Sequence, residues 1–294
     1  MKQSTRMRML RQDKIFYAIV YTVIVLLTLS VLYPIIYILS SSFSSGEAVS
    51  SGKVLLFPVD FSLAGYRRVF ENSRVWIGYR NTIFYTVVGT LNNLFMTMIC
   101  AYPLSRRGLP GRKGLMLFFV FTMYFSGGTI PIYLNVKEFG MLDSMWSLII
   151  PGLISTFNVI ILKNFFSSLP YELVEAASID GATDFQVLTR IFLPLSFSSL
   201  ATLSLFYAVG KWNSFNDALY DITSRALQPL QLKLYNLIKG SQSVEVAVAE
   251  GSSNDLSTSV SESIQSATII FATLPILIVY PFVQRYFVAG VTMG

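Results

Sequence analysis

The chain lacks histidine altogether and carries a single cysteine, Cys100. No disulfide can close within it, and histidine-based triads, His/Cys zinc sites and histidine-ligated haem are excluded. Charge is scarce too: 13% of the 294 residues are Asp, Glu, Lys or Arg, against about 25% in soluble domains. A phosphate loop of the form G-x-x-x-x-G-K-[ST] is missing, so this chain has no such site for a nucleotide. What is abundant is apolar: 53% of the residues are hydrophobic, and the mean hydropathy is +0.57. Length alone would suit one or two soluble domains. The composition does not.

The few charges bound six stretches of 19 to 32 uncharged residues: Lys14 to Glu47, Arg80 to Arg106, Lys113 to Lys137, Asp143 to Lys163, Arg190 to Lys211 and Glu262 to Arg285. Each can hold a helix of about 20 residues, enough to cross about 30 Å of hydrocarbon. The expectation is an all-α polytopic membrane protein with six transmembrane helices. The first should close near Leu39, before the polar run Ser40 to Ser45. Its apolar run, Ile15 to Leu39, is too long for the h-region of a cleavable signal peptide, about 7–15 residues, so it reads as a retained span. Lys2, Arg6, Arg8, Arg11 and Lys14 precede span one, and Arg106, Arg107, Arg112 and Lys113 link spans two and three. The positive-inside rule makes both regions cytoplasmic and returns the C-terminus, with Arg285, to the same side. Outside then lie Ser41 to Val75, Lys137 to Asp143, and Asn213 to Ser261. The net charge of +6 is a topology signal, and nucleic acid is not an expected partner.

None of the six stretches contains an ionisable Asp, Glu, Lys, Arg or His. Ion-coupled carriers usually need such groups at membrane depth, so an ion-coupled secondary transporter of a small polar solute is the weaker alternative. A membrane enzyme lacks a base or metal ligands for the same reason. Neutral polar groups remain: Asn92, Asn93, Asn158, Tyr85, Tyr207 and many Ser and Thr. Hydrogen bonding between helices, worth about 1 kcal/mol per contact, accounts for most. Some could line a path for sugar hydroxyls.

Lys163 to Arg190 differs from the other short connections. It reads as two short amphipathic helices. Pro170 suits a first turn, Leu173, Ala177 and Gly181 share one face with Ala176 beside them, and Gly181 fits a C-cap. Thr183 and Gln186 have the spacing of a capping box, and Leu193-Pro194 leads into span five. Four acids, Glu172, Glu175, Asp180 and Asp184, suit a protein partner better than anionic lipid headgroups.

Glu175-Ala176-Ala177, three residues, Gly181, nine residues, Ile191, one residue, Leu193-Pro194 resembles the EAA motif of bacterial ABC-importer permeases at every position. In that family the loop holds the coupling helix, which docks on the ATP-hydrolysing subunit. The resemblance therefore implies a coupling role for Glu175, Ala176, Ala177, Asp180, Gly181, Leu193 and Pro194, within a coupling segment 170–190. It covers nearly the whole chain. Asn81 resembles the opening of the permease core. Ala101-Tyr102-Pro103-Leu104-Ser105-Arg106 and Leu109-Pro110-Gly111-Arg112-Lys113 resemble the AYxLSR and PGRK segments of carbohydrate-importer permeases. Trp212-Asn213-Ser214-Phe215 is similar to the WNxF end of span five in the MalG-like group. Phe125 to Pro131 with Gly140-Met141-Leu142-Asp143 is similar to the LplC-like subgroup. Phe287 to Gly294 resembles the start of the family's tail without its basic end.

What the resemblance implies is a type I ABC-importer (MetI-like) permease fold. Residues 1–75 would hold the N-terminal segment, first span and first outer loop, and 76–294 the permease core with outer loop 213–262. The implied partners are a second homologous permease, two ATP-binding subunits carrying ATP and Mg, an extracytoplasmic solute-binding protein, the bilayer and a carbohydrate, with no cofactor or metal in this chain. The location would be the bacterial inner membrane. Ser241 to Ser261 reads as a flexible loop, and the family likeness makes Gly251, Ser252, Ser253, Asn254 and Asp255 candidates for contact with the binding protein. Phe57, Phe61, Tyr66, Arg67 and Arg68 suit either that dock or a lipid anchor. Trp212, Asn213, Asn216, Asp217 and Tyr220 sit where span five ends. An aromatic belt explains Trp212 and Tyr220 as well as a substrate path does.

Overall fold

The computed structural model describes residues 11–249 and 255–291, with side chains over 14–239 and 262–281. It is helical throughout. Among the described residues the only strand-like feature is one antiparallel bridge, Ser44 to Phe61. The helices are α1 (Arg11–Ser42), α2 (Gly46–Ser50), α3 (Ala64–Glu71), α4 (Ser73–Ser105), α5 (Arg112–Tyr124), α6 (Thr129–Glu138), α7 (Trp146–Ile149), α8 (Thr156–Ser168), α9 (Glu172–Ile179), α10 (Asp184–Val187), α11 (Leu193–Leu195), α12 (Phe197–Asn213), α13 (Asn216–Asp221), α14 (Leu230–Ala249) and α15 (Asp255–Val291). A π-helical turn, Leu188–Phe192, joins α10 to α11.

All six uncharged stretches contain helix, but among the described residues only three hold one long helix that passes as a span: Lys14–Ser42, Ser73–Ser105 and Glu262–Pro281. The third bends by 112° between α5 and α6. Ser126, Gly127 and Gly128 cause the break. Gly128 holds φ +87°, a conformation that glycine alone adopts cheaply, and the Ser126 hydroxyl accepts from its N–H at 3.2 Å. The fourth stretch is divided into α7 and α8 around Pro151 and Gly152. The fifth turns by 84° at Ser196, between Asp184–Leu195 and Phe197–Asn213. Absence of charge reports that a segment is compatible with lipid. It does not report where glycine and proline interrupt the backbone ladder.

The described residues form two compact units. One comprises the described residues up to Glu71 and those between Ile238 and Phe271. Large apolar side chains of α1, from Ile15 to Leu39, are exposed, as suits lipid. The helix ends at Ser42 rather than Leu39, and the polar run is buried: Ser40 donates to the Leu56 carbonyl at 2.7 Å, Ser44 to the Ser40 carbonyl at 2.7 Å, and Ser263 to the Ser44 carbonyl at 3.0 Å. The stretch expected as a first outer loop thus contains α2, α3 and a small core of Ala48, Val49 and Val54.

The second unit comprises Asn72–Leu237 and the described residues from Ala272 onward. Asn72 caps α4, its side chain accepting from the Arg74 N–H at 3.0 Å. α4 is the axis of this unit, packed on α8 and α12. The Ser105 end holds the larger core, where Ala101, Tyr102 and Leu104 of α4 meet Val159, Leu162 and Phe166 of α8 and Leu203 of α12. Tyr102, Phe166 and Phe192 meet edge to face, with ring centroids 5.2 to 6.5 Å apart.

Two expectations for the later chain change. The segment 213–262 contains α13, all of α14 and the start of α15, so Ser241 to Ala249 and Asp255 onward are helical. The Ser/Val/Glu-rich composition lacks a helix breaker over 241–249, so polar composition was a poor guide to loop. Gly251, Ser252, Ser253 and Asn254 lie outside the described residues. Asp255 opens α15, and its side chain lies outside them too.

Candidate functional site

The segment after α8 folds as the two short helices that its spacing predicts. α9 begins at Glu172, two residues beyond Pro170. It ends in a Schellman arrangement: Ala182 N–H donates to the Ala177 carbonyl at 2.9 Å and Gly181 N–H to the Ser178 carbonyl at 3.1 Å. Gly181 takes φ +75°, and a Cβ built there meets nothing within 4 Å. Glycine is therefore required by the backbone, and the space beside it is open. The Thr183 capping box is complete: its N–H donates to Gln186 Oε1 at 2.8 Å, and its hydroxyl accepts from the Gln186 N–H at 3.3 Å.

The expected single face of Leu173, Ala177 and Gly181 is divided. Ala177, 8% exposed, and Val174 turn inward and join the core with Val187 and Phe192. Glu172, Glu175, Ala176, Asp180 and Gly181 face out, with Leu173. Beside them stand two apolar side chains that the sequence reading did not single out, Ile179 at 87% and Phe185 at 70% exposure. Ile179 falls in the unspecified x3 of the motif, so the pattern itself carried no signal for it. Leu193 is half-buried and Pro194 exposed, at α11.

This hairpin is tied to α4. Tyr102 donates to Asp184 Oδ1 at 3.0 Å, Arg106 Nη2 lies 3.5 Å from the same oxygen, and the Arg106 guanidinium sits 5.6 Å over the Tyr102 ring. Arg107 lies 5.5 Å over Tyr171. Tyr102 and Arg106 belong to the AYxLSR segment, whose spacing gave no hint of this partner. A displacement of α9–α10 would act on α4 through these contacts and through the shared core.

At the Asn72 end, α4 uses polar side chains to hold the segment before α14. Asn81 donates to the Ala226 and Gln228 carbonyls at 2.7 and 3.1 Å, Tyr85 to the Leu227 carbonyl at 2.8 Å, and Thr82 accepts from the Leu230 N–H at 2.8 Å. Asp143, at φ +56°, accepts from the Thr223 and Ser224 N–H groups at 3.0 and 2.7 Å. The Leu-Asp end of the Gly140–Asp143 motif is thereby explained as a loop anchor. Asp221 is buried, its Oδ1 has no hydrogen-bond partner among the described residues, and burial followed by the neighbouring Asp217 raises its carboxyl above the usual range.

Of the residues proposed for a substrate path, Asn93, Asn158 and Tyr207 gather around the start of α8, where the Tyr207 hydroxyl also accepts from the Ser155 N–H at 3.4 Å. Asn92 donates to the Val88 carbonyl of its own helix at 2.8 Å. Asn93 is buried, donating to the Gly152 carbonyl at 3.1 Å. Tyr207 shares a 2.6 Å hydrogen bond with Thr97. Asn158 is buried near the start of α8, its N–H on the capping Ser155 hydroxyl. Trp212 is buried too, its Nε1–H donating to the Ala272 carbonyl at 3.2 Å, with Tyr79 edge-on. The Asn93, Tyr207 and Trp212 bonds fasten one element to another, whereas those of Asn92 and Asn158 stay within their own helix or its cap. Asn213, Asn216, Asp217 and Tyr220 are exposed. Lys211, read only as the end of a stretch, is a further fastening: its Nζ donates to the Leu148 carbonyl at 2.7 Å.

Residues 75–293 match the family described as the binding-protein-dependent transport system inner membrane component. The chain belongs to this family. It is similar to the polygalacturonan/rhamnogalacturonan transport system permease protein YtcP of Bacillus subtilis, 40% identical over 96% of this chain and 98% of that one. It is also similar to the protein LplC of the same organism, 43% identical over 89% of this chain and 88% of that one. Among solved structures, a chain of a bacterial ABC transporter involved in import of the acidic polysaccharide alginate superposes with TM-score 0.83, at 35% identity over 95% of this chain and 99% of that one. An alginate transporter chain from a complex with alginate pentasaccharide-bound periplasmic protein shares the fold at 16% identity, TM-score 0.60, over 94% of each chain. The protein is thus a membrane-embedded permease subunit of a binding-protein-dependent ABC importer, and ATP hydrolysis belongs to a separate subunit.

Proposed function

We propose that this permease moves carbohydrate, as oligosaccharide, into the cytoplasm. It pairs with a second homologous permease to enclose one path in the bacterial inner membrane. A loaded solute-binding protein docks outside, and two ATP-binding subunits, which hold ATP and Mg, dock inside. The bases Arg106, Arg107, Arg112 and Lys113 support a cytoplasmic Ser105 end of α4 and cytoplasmic termini. The relatives named for polygalacturonan, rhamnogalacturonan and alginate support a sugar substrate.

One observation carries the mechanism: Ile179 and Phe185 are exposed beside an open-sided Gly181 on a hairpin whose inner face is fastened to α4. Exposed apolar side chains among acids suit a protein groove. ATP-driven closure of the partner would shift α9–α10, and the Tyr102–Asp184–Arg106 contacts and shared core would pass the shift to α4. Closure selects the outward-open state, and hydrolysis returns the inward-open one. Asn92, Asn213, Asn216, Asp217 and Tyr220 are the path candidates that keep exposure on this chain. Residues 251–255 remain candidates for the binding protein. The test is uptake into vesicles holding the assembled importer. Uptake should require ATP and ignore imposed proton or sodium gradients; gradient-driven uptake without ATP overturns the reading.

A further inference from the structure

At the Asn72 end of α4 lies a cavity of about 520 Å³, within the roughly 300–1,000 Å³ of small-molecule sites. Its polar lining comes from Asn72 and Arg74 at the start of α4, Arg225 and Gln228 in the segment before α14, and Lys233 and Asn236 on α14. Three cations line it and no carboxylate does. Among the described residues, none of the three has a carboxylate within ion-pair distance.

The walls are built. Lys233 is only 8% exposed, and its Nζ donates to the Arg74 carbonyl at 2.8 Å, which anchors the ammonium and leaves two of its N–H donors. Its stem crosses Gly78, where a Cβ would stand 3.0 Å from Lys233 Cδ and 3.1 Å from Leu230 Cα. The segment bearing Arg225 and Gln228 is pinned on both sides of Arg225, by Asp143 at Thr223 and Ser224 and by Asn81 at Ala226 and Gln228. Burial and the neighbouring Arg74 lower the Lys233 ammonium below its usual range. A nearby anion would relieve that cost.

We propose that this cavity is a subsite for the carboxylate of an acidic sugar unit, with Arg225, Arg74 and Lys233 meeting the charge and the Asn72, Gln228 and Asn236 amides meeting hydroxyls. A guanidinium presents a planar fork that matches a carboxylate, and amides donate and accept at once, as hydroxyls require. By the same topology that makes the Ser105 end cytoplasmic, the cavity opens on the outer side, where sugar arrives. The inference rests on the carbohydrate reading and narrows it to uronate-containing oligosaccharides.

The experiment compares uptake of trigalacturonate with uptake of its methyl ester, which has nearly the same size and no charge, by the complete importer in liposomes. The wild type should favour the acid. Arg225→Gln should lower the acid-to-ester ratio about tenfold, the scale of one charge-assisted hydrogen bond, and Arg225→Lys should restore most of it. Arg225 is exposed in a loop, so this substitution does not test folding. A ratio unchanged within twofold overturns the subsite. So does an equal fall for both sugars, which is what contact with an acidic surface of the binding protein would give. Uptake of neither sugar by an ATP-hydrolysing wild type overturns the carbohydrate reading itself.

Discussion

Replacing Gly181 separates what the backbone needs from what a partner needs. The residue holds φ +75°, and among the described residues, its two chain neighbours aside, no atom lies within 4 Å of a Cβ built there. Gly181→Ala meets no steric conflict in the chain and carries only the left-handed backbone penalty, about 1–2 kcal/mol. Gly181→Asn should carry less, because asparagine tolerates this conformation. The hairpin is also held by the capping box and by Val174, Ala177 and Val187 in the core, so both variants should insert and accumulate normally. If the ATPase surface fills the open space, however, Asn introduces a side chain into a close contact. Losing one well-packed contact of this kind costs about 2 kcal/mol, or roughly 30-fold in affinity. The assay is titration of the permease pair in nanodiscs with the purified ATPase, alongside protease accessibility to report insertion. Gly181→Asn should weaken ATPase binding roughly 30-fold, and Gly181→Leu more. Wild-type affinity within twofold for both would refute the assignment of this hairpin as the docking element.

Gly78→Ala should destabilise the permease by about 1–3 kcal/mol, since its Cβ would press on the Leu230 backbone at 3.1 Å; Gly152→Ala, whose Cβ meets only Lys211 Nζ at 3.6 Å, should be tolerated, and thermal unfolding in detergent compares them. Tyr102→Phe removes the 3.0 Å bond to Asp184 and should cost about 0.5–1.5 kcal/mol, while raising the ATP hydrolysed per sugar imported if the contact transmits motion. The carboxyl of Asp221 is raised in the folded chain, so the fold gains stability as pH falls through the folded value toward the unfolded one and loses it as pH rises. Asp221→Asn should therefore raise the melting temperature at neutral pH, with the gain vanishing once pH is below the ordinary aspartate range.

Much of the α9–α10 hairpin was legible in the sequence because its determinants are local. Gly181 and the Thr183–Gln186 pair specify a left-handed turn and a cap within a few residues, and both form as the spacing predicts. Ala177 was misplaced because helical spacing says which residues share a face and not which face meets the core. Trp212, Tyr207 and Asn93 were ambiguous for a related reason: their hydrogen-bond partners, Ala272, Thr97 and Gly152, lie 60, 110 and 59 positions away. The cavity at the Asn72 end of α4 was invisible, since Arg74, Arg225 and Lys233 come from three separate segments.

By itself the sequence determined that the chain lives in a membrane, at which connections its bases concentrate, and where a capped two-helix hairpin lies. Each of these follows from one-dimensional quantities: the absence of charge, the count of Lys and Arg between spans, and a motif of fixed spacing. Only the tertiary structure decided where the third, fourth and fifth stretches break, which side of α9 stays outside, and which cations share a cavity. Those outcomes depend on groups far apart in the chain competing to satisfy the same buried carbonyls and fill the same core, and composition carries no record of that competition.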